Sequence, residues 1–130
     1  MKLILLIFLC LLFTIFLDFI YIKLIGEELF KSSFPELLRS SYKIWPALLT
    51  WLLIVIGSYI FVYNYAILNI QNALIYGALY GFILYGVYEL TNFTIFTAWS
   101  LKVVLIDLSW GVILNMLIAL FWYFVGRNVF

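Results

Sequence analysis

From Ile44 to Tyr88 the chain runs for 45 residues without one Asp, Glu, Lys or Arg. A soluble domain carries about 25% charged residues, so a stretch this long without charge cannot build a wetted surface. Its solvent is lipid. The remainder of the chain agrees: of 130 residues, 68% are hydrophobic and 10% charged. That length suffices for one domain. The net charge of +1 gives no support for a nucleic-acid partner. The single cysteine, Cys10, lies inside an apolar run, which excludes an internal disulfide. The absence of histidine excludes zinc sites built on His and Cys, and His-dependent triads. No metal and no cofactor is expected. A haem or quinone site lacks a ligating His, and the abundant Tyr and Trp read as packing and membrane-belt residues.

Apolar runs divide the chain into four spans. In Leu3–Leu17 only Thr14 is not apolar, and the apolar character resumes after Asp18. Residues 3–25 therefore read as a first transmembrane helix, with a cleaved signal peptide as the rival reading. Gly26 reads as its stop. Ser33-Phe-Pro-Glu36 fits a capping box, with Pro35 in the first turn of the helix that the box would open. The pattern predicts a short interfacial helix over about 34–43, with a polar loop as the alternative. The second span is predicted at about 46–63, opened by Pro46. The third is predicted at 73–90 and the fourth at 103–125, with Trp122 and Tyr123 in an aromatic belt. Runs of about 18–23 residues match a hydrocarbon core of roughly 30 Å. An all-α four-helix bundle forming a single transmembrane domain over residues 1–130 is the economical architecture.

With four spans, both termini and the middle link share one face, side A. The Gly26–Lys43 and Thr91–Lys102 links share the other, side B. Asp18 lies roughly 22 Å from side A, and Asp107 roughly 6 Å from side B, at 1.5 Å per residue. Glu89 is near the side-B end of the third span. Three carboxylates from three helices are thus expected in one layer. Their faces agree, because i and i+4 share a helix face. Cys10, Thr14 and Asp18 form one seam. Gly77, Gly81, Tyr85 and Glu89 form another, and Asp107, Gly111 and Asn115 a third. Gly77, Gly81 and Gly111 are read as helix-packing positions, since small residues let helices approach closely in lipid. Asp18, Tyr88, Glu89, Asn92, Trp99, Asp107 and Trp110 are the candidate site, and Lys23, Arg39, Lys43 and Lys102 the candidate ion partners; the alternative to such partners is that the acids are partly protonated, since desolvation and like-charge neighbours raise a carboxylate pKa. The alternative is that Asp18 and Glu89 are ordinary interfacial charges. Five of the seven basic residues fall on side B: Lys23, Lys31, Arg39, Lys43 and Lys102. The positive-inside rule puts that face in the cytoplasm.

At these residues the sequence resembles domain-of-unknown-function family 2177, a family of small predicted membrane proteins. The resemblance runs through Leu17-Asp18, Pro46-Ala-Leu48, Gly77-Ala-Leu-Tyr-Gly81, Tyr88-Glu-Leu-Thr-Asn92, Trp99, Asp107 and Trp110-Gly111. The family commonly has Asp where this chain has Glu89, and Trp where it has Tyr21. The longer side chain of Glu89 keeps the acid but shifts its geometry. The resemblance implies four spans and a polar site, and no activity.

Function therefore rests on the residues. Intramembrane carboxylates usually face a bundle interior or a water-filled cavity and serve transport. The leading expectation is binding or transport of a small solute or cation through a carboxylate-lined pocket, with a homo-oligomer to complete a pathway. The second is a non-catalytic assembly or stabilising subunit in which the polar cluster is fold glue. The third is an intramembrane acid–base enzyme, by architectural analogy with four-span lipoprotein signal peptidases. An enzyme is less expected than a non-enzyme.

Overall fold

The computed structural model describes residues 1–129. Its elements are α1 (Lys2–Tyr21), α2 (Glu27–Ser33), α3 (Ile44–Phe61), α4 (Tyr63–Ala66), α5 (Ile70–Ile95) and α6 (Leu101–Phe124). There is no strand among the described residues. Four helical stretches are long and apolar enough to cross a membrane: Lys2–Ser33, Ile44–Phe61, Ile70–Ile95 and Leu101–Asn128. The chain is an all-helical integral membrane protein.

The helix starts follow local chemistry. Asn69 caps α5 by accepting the Asn72 N–H at 2.8 Å, and Ser100 caps α6 by accepting from Val103 N–H at 3.3 Å. Each side-chain oxygen meets one of the orphan donors of a first turn. Pro46 lies in the first turn of α3, where its missing N–H leaves no intrahelical bond unmade.

The first helix departs from the expected boundary. It does not stop at Gly26 but passes through a π-helical turn, Ile22–Gly26, straight into α2. Gly26 is buried, and a Cβ built on it would stand 3.2 Å from Tyr21 Cε1. The glycine serves here as room for a ring rather than as a helix terminator. The helix predicted over 34–43 shrinks to one 3-10 turn, Pro35–Leu37. Ser33 is consumed as the last residue of α2, so it is not free to cap a new helix. Phe34 is 5% exposed and stacks on Trp99, ring centroids 4.6 Å apart. That anchorage holds the chain out of helical geometry, with Leu38 already extended.

α5 and α6 form the closest pair. A Cβ on Gly77 would stand 2.6 Å from the Asn115 carbonyl oxygen and 2.8 Å from Ala119 Cβ. One on Gly81 would strike the Gly111 carbonyl and stand 2.9 Å from Asn115 Cβ. Gly111 in turn lies under the Tyr85 ring. Without side chains at these three positions the backbones touch, which is how helices gain van der Waals contact where lipid supplies no hydrophobic drive.

The side-A half is filled by Leu6, Cys10, Val55, Leu114, Ile118 and Trp122. Trp122 is fully buried and donates its indole N–H to Ser58 Oγ at 3.0 Å, so it is a core residue rather than a belt residue. At the side-B end, Leu29, Phe34, Trp99, Val103 and Val104 make a second apolar cluster. The polar layer lies between the two.

Candidate functional site

An indole N–H is a donor with no acceptor of its own, so in a dry bundle it must find an oxygen. Four of the five tryptophans do so, three of them on carboxylates. Asp18 of α1 accepts Trp51 Nε1 of α3 at 2.7 Å and Trp110 Nε1 of α6 at 2.8 Å. One side chain thereby ties three helices. One turn further, the Tyr21 hydroxyl donates to Asp107 Oδ1 of α6 at 2.9 Å. The Tyr21 ring also lies flat on Trp110, centroids 4.7 Å apart and planes 6° apart. Asp18, Tyr21, Asp107 and Trp110 thus close a ring of contacts between α1 and α6. The π-turn that begins after Tyr21 lies against this ring, and such turns are common at functional sites.

Glu89 of α5 is fully buried. Its Oε2 accepts Trp99 Nε1 from the α5–α6 link at 2.7 Å, while Oε1 has no partner. Asp107 is its acidic neighbour. Tyr88 meets the Trp99 ring edge-on at 6.0 Å. Asn92 bonds none of the three acids; its backbone carbonyl accepts Phe96 N–H at 2.9 Å and ends α5.

The expected cationic partners are elsewhere. Among the described residues the ion pairs are Lys23–Glu27 at 3.2 Å and Lys31–Glu27 at 2.6 Å, both on the outer face of the first helix. Arg39, Lys43 and Lys102 are exposed. Long basic side chains carry their heads to water, whereas an indole brings a donor inward without bringing a charge. The aromatic residues therefore take the role assigned by sequence to the lysines. The reading of the remaining Trp and Tyr as packing and belt residues does not describe Trp51 and Tyr21.

A cavity of about 510 Å³ adjoins this network. Its polar wall carries Asp18, Tyr21, Tyr85, Tyr88, Asp107 and Trp110, and its apolar wall includes Leu53, Ile54 and Leu84. Glu89, Asn92 and Trp99 are off the wall. The seven sequence candidates therefore divide. Asp18, Tyr88, Asp107 and Trp110 face the cavity. Glu89 and Trp99 form a buried pair behind it, and Asn92 is off the wall beside Tyr88. No group of three or more Asp, Glu, Cys or His residues among those described is arranged to hold a metal ion.

Tyr21 and Trp51 were not among the candidates. Depth would have found Trp51. Trp51 and Trp110 lie seven and nine residues into α3 and α6, roughly 10–14 Å from side B. The rise per residue that places the acids also puts both indoles in the Asp18 layer.

The profile of a family described as predicted membrane protein, DUF2177, matches residues 3–124. The chain belongs to the DUF2177 family. No curated protein and no solved structure matches it. The DUF2177 match takes in all three acids and all five tryptophans. Its description gives membrane residence and no chemistry.

Proposed function

We propose that this DUF2177 protein binds, and in an oligomer transports, a small positively charged solute in the cavity at the side-B half of the bundle. The observation that carries the reading is the make-up of the wall: Asp18 and Asp107 with six aromatic rings, and no Lys or Arg. Carboxylates attract a cation, and Tyr and Trp faces add cation–π attraction of about 0.5–2 kcal/mol. Two carboxylates fall short of the six to eight oxygens that a calcium-like ion takes. That favours an organic cation over an inorganic one. Asp18 and Asp107 are the binding acids in this reading, with Trp110 and Tyr21 setting their orientation. Glu89 and Trp99 support Asp107 from behind. The basic residues of the side-B links support a cytoplasmic location for side B.

The test is equilibrium binding of organic ammonium ions of graded chain length to purified protein, with Asp18→Asn and Asp107→Asn. Both variants are expected to lose binding while the wild type retains it. Unchanged affinity in both removes the reading.

One observation favours a second reading, a stabilising or assembly subunit. Each of the three acids already takes a hydrogen bond from within the chain, and the Asp18 and Asp107 bonds cross between helices. In that case Asp107→Asn lowers thermal stability with no separable loss of binding.

A further inference from the structure

The route into the cavity carries more information than its polar wall. α3 and α5 meet where Tyr80 packs over Gly57 and donates its hydroxyl to the Ile54 carbonyl at 3.3 Å. Toward side B the two helices part. Thr50 and Leu53 of α3 and Leu84 and Tyr88 of α5 line the gap between them. Leu53 is 61% exposed and Tyr88 52%, so the cavity reaches the surface here. Leu53 is at the middle of an 18-residue span, where that surface is hydrocarbon rather than water. The side-B end, by contrast, is stopped by the apolar cluster of Leu29, Phe34, Trp99, Val103 and Val104. Phe30, on the cavity wall, packs against that cluster.

We propose that the cavity receives a single-chain amphiphile with a primary ammonium head, entering sideways from the bilayer between α3 and α5. This rests on the cation-binding reading and narrows its ligand. A hydrophilic cation cannot cross hydrocarbon to reach the mouth, whereas an amphiphile is already dissolved there. Its head meets Asp18 and Asp107 under the rings of Tyr21, Tyr85 and Trp110. Its chain lies along Leu53 and Leu84 and leaves through the mouth into lipid. Leu53 and Leu84 face the gap from its two sides and give it an apolar stretch that suits a methylene chain.

The experiment uses the full chain in lipid nanodiscs, with radiolabelled dodecylammonium and ethylammonium and with empty discs subtracted for partition. The variants are Asp18→Asn, Asp107→Asn and Leu53→Trp, the last filling the mouth at an exposed position; near-ultraviolet dichroism and a thermal midpoint check each fold. Dodecylammonium is expected to bind the wild type, and each Asp variant and the mouth variant to weaken it by about tenfold or more, the equivalent of one lost charge-assisted contact. Ethylammonium is expected not to bind. Ethylammonium binding that depends on the two acids but ignores Leu53→Trp overturns the lateral route and leaves the cation reading standing. Dodecylammonium binding that ignores Leu53→Trp overturns the route as well. Binding of neither amine, or binding indifferent to both Asp variants, overturns both.

Discussion

Asp18 and Glu89 hold their tryptophans differently, and the difference is measurable. Asp18 has two indole donors, so removing one leaves the other. Glu89 has one, and its second oxygen is already unpartnered. A buried acceptor that loses its only donor costs about 1–3 kcal/mol. Trp99→Phe is therefore expected to lower unfolding stability by about that much, and Trp51→Phe by less; denaturation in mixed micelles ranks them. If Trp51→Phe proves the worse, the Glu89–Trp99 bond is not the more critical one. The Asp18–Trp51 bond also permits a double-mutant cycle. Interhelical hydrogen bonds in membranes average about 0.6 kcal/mol and reach about 1.7, so a coupling energy in that range is expected, and zero coupling contradicts the contact. At this scale the acids were legible, because a carboxylate in an apolar run stands out. Trp99 and Trp110 were named beside them, but Trp51 and Tyr21 were not, because an aromatic residue in an apolar run looks the same whether it anchors at an interface or donates to a buried oxygen.

The α5–α6 pair and the kinked first helix carry the predictions at the scale of elements. Gly81→Ala drives a methyl group into the Gly111 carbonyl, a backbone atom that cannot turn aside. Overpacking of that kind costs about 1–3 kcal/mol. At Gly86 the added Cβ meets nothing nearer than Leu108 Cδ1 at 3.9 Å, so Gly86→Ala is expected to cost nothing and to stabilise the helix by up to about 1 kcal/mol. The same unfolding assay separates them, and equal effects would mean that α5 and α6 do not touch at Gly81. Gly26→Ala acts at a distance: its methyl presses the Tyr21 ring at 3.2 Å. It is expected to loosen the Tyr21–Asp107 bond, read as weaker Tyr21–Trp110 stacking in near-ultraviolet dichroism. The small-residue seam was visible from its four-residue spacing. The continuation of the first helix past Gly26 was not, since glycine signals a stop only when nothing nearby needs its empty space.

Four spans put Lys2, the Val62–Asn69 link and Arg127 on one face, and residues 34–43 and 96–100 on the other. Single cysteines introduced at Ser41 and Asn69, in a chain carrying Cys10→Ala, are expected to react with an impermeant thiol reagent from opposite sides of intact cells. Labelling of both from one side contradicts the four-span topology. The sequence alone decided lipid as the solvent and the number of spans, because hydropathy is a local property that needs no knowledge of neighbours. Only the tertiary structure decided which donors meet which acids, that Glu89 stands behind the cavity rather than on it, and that Leu53 of α3 and Tyr88 of α5 are exposed at the cavity's edge. Those depend on the rotation of each helix about its axis and on where two helices part. Both are set by packing between segments far apart in the chain, and no window of sequence contains that packing.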